Sequence, residues 1–287
     1  MRQIPFRACL RMAAVAVLVA GVAGCSEGVL RPHGPVGEAE KTIFLNSLGI
    51  MLAIVVPTIL ATLGVAWWFR ASNRRARYLP TWQYSGRIEM IVWSIPAMVI
   101  LLLGGIAWVG SHDLDPPKAL VSPEKAVRVE VVSLDWKWLF IYPDQGVASV
   151  NRLVVPVGVP VSFRLTSETV MNSFFVPELG SQIYTMNGMV SRLNLKADQP
   201  GLYPGFSAQF SGDGFSGMRF TVDAVGKEKF ANWVEETKGN GRSLAMESYE
   251  DLAKPSKNVE PYTFGSVKAG LFDLIVNRPT GAIAKGN

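Results

Sequence analysis

Two long uncharged stretches dominate the first 111 residues, and from residue 126 onward the pattern changes to short alternating runs. Thr42–Phe69 has 28 residues without a charge and Met90–Ser111 has 22. Each exceeds the roughly 20 residues that a helix needs to cross a bilayer. Pro57 and Pro96 lie inside them, which membrane helices tolerate because neighbouring groups satisfy the freed carbonyls. Trp67, Trp68, Trp93 and Trp108 sit near the ends of the runs, where an interfacial aromatic belt places them. The pattern predicts two membrane spans, 42–69 and 89–111.

The alternating runs beyond them are bounded by Gly, Pro, Asn and Asp, the signature of strands and turns. Strands are expected at Val127–Ser133, Trp136–Tyr142, Leu153–Val155, Val161–Thr166, Met171–Val176, Met189–Leu195, Gly205–Phe210 and Arg219–Ala224. So many strands in about a hundred residues indicate an all-β sandwich or small barrel. After Gly226 the period changes again. Phe230, Trp233 and Val234 have helical spacing, Ser248-Tyr-Glu-Asp251 reads as a capping box, and Val267–Val276 is a third helical candidate. A helical extension is therefore expected over 226–279, with a disordered Gly/Ala tail at 280–287.

Composition sharpens this. The 287 residues are 49% hydrophobic and only 18% charged, with mean hydropathy +0.23, whereas a soluble domain carries nearer a quarter charged residues. The net charge of +5 is confined: Arg2, Arg7 and Arg11 lie at the start, and Arg70, Arg74, Arg75, Arg77 and Arg87 lie between the spans with no acid among them. The β-region and its extension are nearly neutral, which excludes the basic face of a nucleic-acid binder. By the positive-inside rule the arginine loop, 70–88, is cytoplasmic, so both the N-terminal segment 25–41 and the region from 112 onward are periplasmic.

Two cysteines, Cys9 and Cys25, and two histidines, His33 and His112, exclude a disulfide framework and a histidine-rich metal centre. Residues 1–24 read as a secretory leader: three arginines followed by the uncharged run Met12–Gly24, too short to span. Val22-Ala-Gly-Cys25 resembles the lipobox of bacterial lipoproteins, which implies cleavage before Cys25 and its acylation.

Four segments in order resemble subunit II of the haem–copper respiratory oxidases. Glu89-Met-Ile-Val-Trp-Ser-Ile-Pro96 is similar to the second-span signature of that family, and Asp135-Trp-Lys-Trp138 to its aromatic region. Asn172-Ser-Phe-Phe-Val-Pro177 and the run from Gly205 to Met218 resemble its two ligand segments. The resemblance implies a two-span α-hairpin followed by a cupredoxin-like domain, 112–225. In the cytochrome c oxidase branch those segments hold a binuclear copper centre. Here Asn172, Ser207, Gln209, Ser211 and Phe215 stand at five of its six ligand positions, and only Met218 keeps the family's residue. A mixed-valence copper pair needs bridging thiolates and imidazoles, and a lone thioether serves better as core packing. Trp136 and Trp138, which would lead electrons to the metal, read instead as packing residues.

The departure resembles the ubiquinol oxidase branch, of the cytochrome bo type. It implies a cofactor-free subunit of a proton-translocating quinol oxidase, with haems and copper in subunit I. The expected partners are subunit I, the other oxidase subunits, ubiquinol through subunit I, and the bacterial inner membrane, with no nucleic acid. Glu89, at the mouth of the second span, reads either as an interfacial anchor or as a proton-path residue; the family position favours the second. A membrane-tethered copper carrier lacks the necessary cysteine and histidines. A copper-free binding or assembly lipoprotein would not need a two-span hairpin.

Overall fold

A computed structural model describes residues 28–77 and 79–278. The leader, Cys25 and the C-terminal tail lie outside the described residues. The chain forms two compact units, residues 39–115 and the remainder.

The first unit is built on two helices, α1 (Pro35–Trp68) and α2 (Gly86–Asp113). Both are long and apolar enough to cross a membrane, with peak mean hydropathies of 2.4 and 2.3. Helix α1 starts seven residues before the apolar run, because Pro35 suits the first helical position, where its missing N–H costs nothing. Glu38 in the first turn and Glu40 and Lys41 in the second thus form a polar start ahead of the apolar run. Pro57 does not break α1; next to it, the hydroxyl of Thr58 donates to the Ile54 carbonyl at 2.8 Å.

The second unit is a β-sandwich with an added C-terminal layer. Its strands are β1 (Val127–Leu134), β2 (Lys137–Tyr142), β3 (Val147–Val150), β4 (Arg152–Pro156), β5 (Val161–Ser167), β6 (Asn172–Phe175), β7 (Ile183–Thr185), β8 (Ser191–Leu195), β9 (Gly201–Ser207) and β10 (Arg219–Val225). The extension adds α3 (Lys227–Lys238), β11 (Ser243–Leu244), α4 (Met246–Ala253), β12 (Tyr262–Phe264), β13 (Ser266–Val267) and α5 (Leu271–Val276). One sheet runs β12-β3-β2-β1-β5-β8 and the other β4-β10-β9-β6-β7. β1 pairs parallel to β5, and β10 parallel to β4.

Two cores explain the apolar pattern. Trp138, Phe140, Phe163, Phe174 and Phe220 fill the space between the sheets, with Phe174 and Phe220 stacked at 5.0 Å. The outward face of the six-stranded sheet is equally apolar: Val132, Leu134, Leu139, Ile141, Ala148, Val150 and Phe264 are covered by Tyr249, Leu252, Leu271, Phe272 and Ile275. A strand buried on both faces reads as a continuous apolar run rather than an alternation, and β2, Lys-Trp-Leu-Phe-Ile-Tyr, is buried at every position.

The structure departs from the sequence reading in several places. The extension is not purely helical, since β12 joins the sandwich beside β3 and β11 pairs with β13. Ser248 is not an N-cap. It lies at the third position of α4, where its hydroxyl accepts a bond from the Ala245 N–H at 2.8 Å. The expected helix at 267–276 begins only at Leu271, after the β13 strand. β3 and β7, four and three residues long, fall below the length at which alternation is legible. β9 runs from 201 to 207 rather than from 205 to 210.

Candidate functional site

The two segments singled out by sequence meet at one end of the sandwich. Antiparallel pairing of β6 with β9 places Phe174 opposite Ser207, which brings Asn172 beside the end of β9. The chain then turns through a loop closed by a short 3₁₀ turn, Phe215–Gly217, and returns as β10. Asn172, Ser207 and Met218 are buried.

Their polar atoms satisfy one another. The Ser207 hydroxyl lies 3.0 Å from Asn172 Oδ1 and 3.1 Å from the Gln209 carbonyl, with its single proton to share, and accepts from the Ser173 N–H at 3.5 Å. Asn172 Nδ2 donates to the Val170 carbonyl at 3.2 Å. The Ser211 hydroxyl approaches Met218 Sδ at 3.9 Å. Phe215 stays apart from this network, and its ring packs edge-on against Phe210 at 5.5 Å. The structure therefore brings together Asn172, Ser207, Gln209, Ser211 and Met218, and turns Phe215 to an aromatic neighbour. Two hydroxyls, two amides, a phenyl ring and a thioether do not fit a copper pair, which requires thiolate and imidazole donors. Among the described residues no group of three His, Cys, Asp or Glu side chains could hold a metal ion.

The loop is held from outside by residues that sequence alone did not join to it. Trp136 closes the β1–β2 hairpin at φ 74°, a conformation costly for a bulky residue and maintained only where the surroundings over-determine it. Its indole Nε1 donates to the Ser211 carbonyl at 2.9 Å. Gly212 adopts φ +100°, and a side chain on Gly214 would lie 2.4 Å from the Trp136 ring, so this close approach requires glycine. Trp138, by contrast, is a core residue, edge-on to Phe174 and Phe220 at 5.5 Å.

The extension fastens the opposite side. Lys137 is buried, and its ammonium donates to the Lys254 carbonyl at 2.7 Å and to the Ser256 hydroxyl at 2.6 Å. Burial pulls its pKa down to about 8, although Asp135 opposes the shift. The Ser256 N–H donates to the Asp135 carbonyl at 3.2 Å, Lys257 lies over the Trp136 ring at 5.3 Å, and Asn151 bridges the Trp138 N–H to the Val259 carbonyl. Residues 254–259 thus form a strap across the hairpin that supports the loop. Nearby, the buried Tyr249 hydroxyl donates to Glu168, whose carboxyl is pushed up by burial. A lysine opening an otherwise apolar strand was the one available signal of this arrangement, since such a group is buried only with partners.

In the helical unit Glu89 lies in the first turn of α2. Trp93, one turn later, donates its indole N–H to Glu89 Oε2 at 3.2 Å. Cys25 is outside the described residues.

Comparison with known proteins agrees with this architecture. The family model described as cytochrome c oxidase subunit II, periplasmic domain, matches residues 144–225, and the COX aromatic rich motif matches residues 238–280. The chain is 46% identical over 274 residues to cytochrome bo(3) ubiquinol oxidase subunit 2 of Pseudomonas aeruginosa, covering 96% of this chain and 82% of that one. It is 49% identical over 257 residues to ubiquinol oxidase subunit 2 of Acetobacter aceti, covering 89% and 83%. Among solved structures, the periplasmic domain of cytochrome oxidase subunit II from Bradyrhizobium japonicum aligns with 42% of this chain and 98% of its own, at 25% identity and TM-score 0.39.

Proposed function

The chain belongs to the family of ubiquinol oxidase subunits 2, and from that premise we propose that it serves a quinol-oxidising, proton-translocating terminal oxidase without carrying electrons itself. The observation that supports this most is the hydroxyl–amide network of Asn172, Ser207 and Gln209 where a copper pair would need soft donors. With no redox group held at that end, electrons from ubiquinol enter subunit I directly, and the haems and copper reside there.

This chain's own work is then to anchor and to cap. Its two spans pack in the bilayer with the arginine loop on the cytoplasmic side, its sandwich lies in the periplasm, and Cys25 carries lipid. Glu89 is the one residue given a chemical role, as a carboxylate that takes up protons at the cytoplasmic boundary and passes them toward subunit I. The Trp93 indole holds one carboxylate oxygen, which fixes the group while leaving the other oxygen to exchange protons with water.

Purification of the complex by a tag on this chain tests the reading. Haem absorbance should co-purify, and elemental analysis should assign copper only in the amount that subunit I holds. A second, near-infrared-absorbing copper centre, or a chain free of haem partners, would contradict it.

A further inference from the structure

The start of the arginine-rich connection, residues 70–76, is held against the end of α1 by hydrogen bonds. Arg70 donates from Nη1 to the Trp67 carbonyl at 2.7 Å and from Nε to the Ser72 hydroxyl at 3.1 Å, and its guanidinium lies 4.8 Å from the Trp67 ring centre. Asn73 turns back to cap α1, donating from Nδ2 to the Trp68 carbonyl at 2.6 Å. Beside this turn lies a cavity of about 740 Å³. Val65, Phe69, Leu79 and Trp82 supply its apolar wall, while Arg70 and Arg77 supply cationic groups.

From residue 70 to 87 there are five arginines and no acid. The cavity therefore combines an apolar surface continuous with a membrane span and a cationic rim with no internal counter-charge on the same segment. A soluble anion has no use for the apolar wall, and a neutral lipid has none for the rim. We propose that this cavity is a binding site for one acidic glycerophospholipid, its phosphate between Arg70 and Arg77 and an acyl chain along Val65, Phe69 and Trp82. Basic pockets between spanning helices bind anionic head groups by this combination of charge and apolar contact. The proposal rests on the reading that both helices cross the bilayer; it is independent of quinol oxidation.

The test uses the full chain in mild detergent and in its purified complex, titrated with phosphatidylglycerol or phosphatidylcholine, with bound lipid counted by native mass spectrometry. One phosphatidylglycerol should be retained in preference to phosphatidylcholine. The double variant Arg70→Ala/Arg77→Ala should weaken that binding by about 30-fold. Arg74→Ala/Arg75→Ala, which removes the same charge away from the cavity lining, should weaken it far less, and Arg70→Lys/Arg77→Lys should retain the lipid. Excess inorganic phosphate should not displace it. Equal losses in the two alanine pairs would overturn the site in favour of diffuse surface charge. Displacement by phosphate, or retention by the isolated chain but not by the complex, would overturn it in favour of a phosphate site or a protein-covered surface. Carbonate extraction separates the two readings: lost lipid preference in a chain that stays in the membrane refutes the site, whereas a chain released by carbonate refutes the spans.

Discussion

Trp136 shows how one residue can fix a loop without a metal. Its positive φ points the indole at the Ser211 carbonyl, and the absence of side chains at Gly212 and Gly214 lets the loop lie against the ring. Gly214→Ala should therefore force the ring aside and destabilise the chain by about 1–3 kcal/mol, the usual cost of overpacking. Thermal unfolding in detergent, followed by tryptophan fluorescence, would read this as a lowered midpoint. Lys137 adds a pH signature. Its native pKa is about 8 against an ordinary 10.5, so between those values the unfolded chain binds more protons than the native one. Stability at this site must then rise with pH across that window. The unfolding midpoint of the wild type relative to Lys137→Met should climb as pH is raised from about 8 toward 10.5 and be flat below it. A difference that falls with pH would contradict the assignment. For Glu89, replacement by Gln keeps the shape and removes the proton. The proton-path reading predicts slower quinol turnover at normal assembly and haem content, with Glu89→Asp milder. Wild-type turnover in Glu89→Gln would return the residue to the role of an interfacial anchor.

Among the elements, the C-terminal extension is the part that the sequence concealed. Helix α3 was legible, because Phe230, Trp233 and Val234 fall at helical spacing within its twelve residues. The strands β11, β12 and β13 are two or three residues long, and so short a run carries no period. The former ligand positions were legible by their order along the chain. Their convergence depends on the pairing of β6 with β9, and the strap that braces them lies far away in sequence, so neither could be read from local pattern. The extension nevertheless has a clear physical task, which is to cover the outer face of the six-stranded sheet. Phe272 is 1% exposed within that second core, with the Arg164 guanidinium 4.8 Å from its ring. Phe272→Ala should cost about 3–5 kcal/mol. Limited proteolysis should then cut first between residues 240 and 278, leaving the inter-sheet core protected. Simultaneous loss of both regions would mean that the two cores unfold as one.

For the whole molecule, the separation of charge and apolar surface sets its place in a respiratory complex. Apolar helices, an arginine-rich connection and a nearly neutral periplasmic sandwich describe a subunit that is embedded and folded but offers only one soft donor, the Met218 thioether, among Asn172, Ser207, Gln209, Ser211 and Phe215. The consequence is a choice of electron donor. A complex whose subunit II lacks a copper relay should accept electrons from a lipid-soluble quinol at subunit I and not from a soluble cytochrome. The decisive measurement is oxygen uptake by the complex purified through this chain, supplied in turn with a short-chain ubiquinol and with reduced cytochrome c. Rapid uptake with ubiquinol and none above background with cytochrome c is the predicted result. Uptake driven by cytochrome c, accompanied by a near-infrared copper band that is lost on substituting Ser207 or Met218, would contradict it.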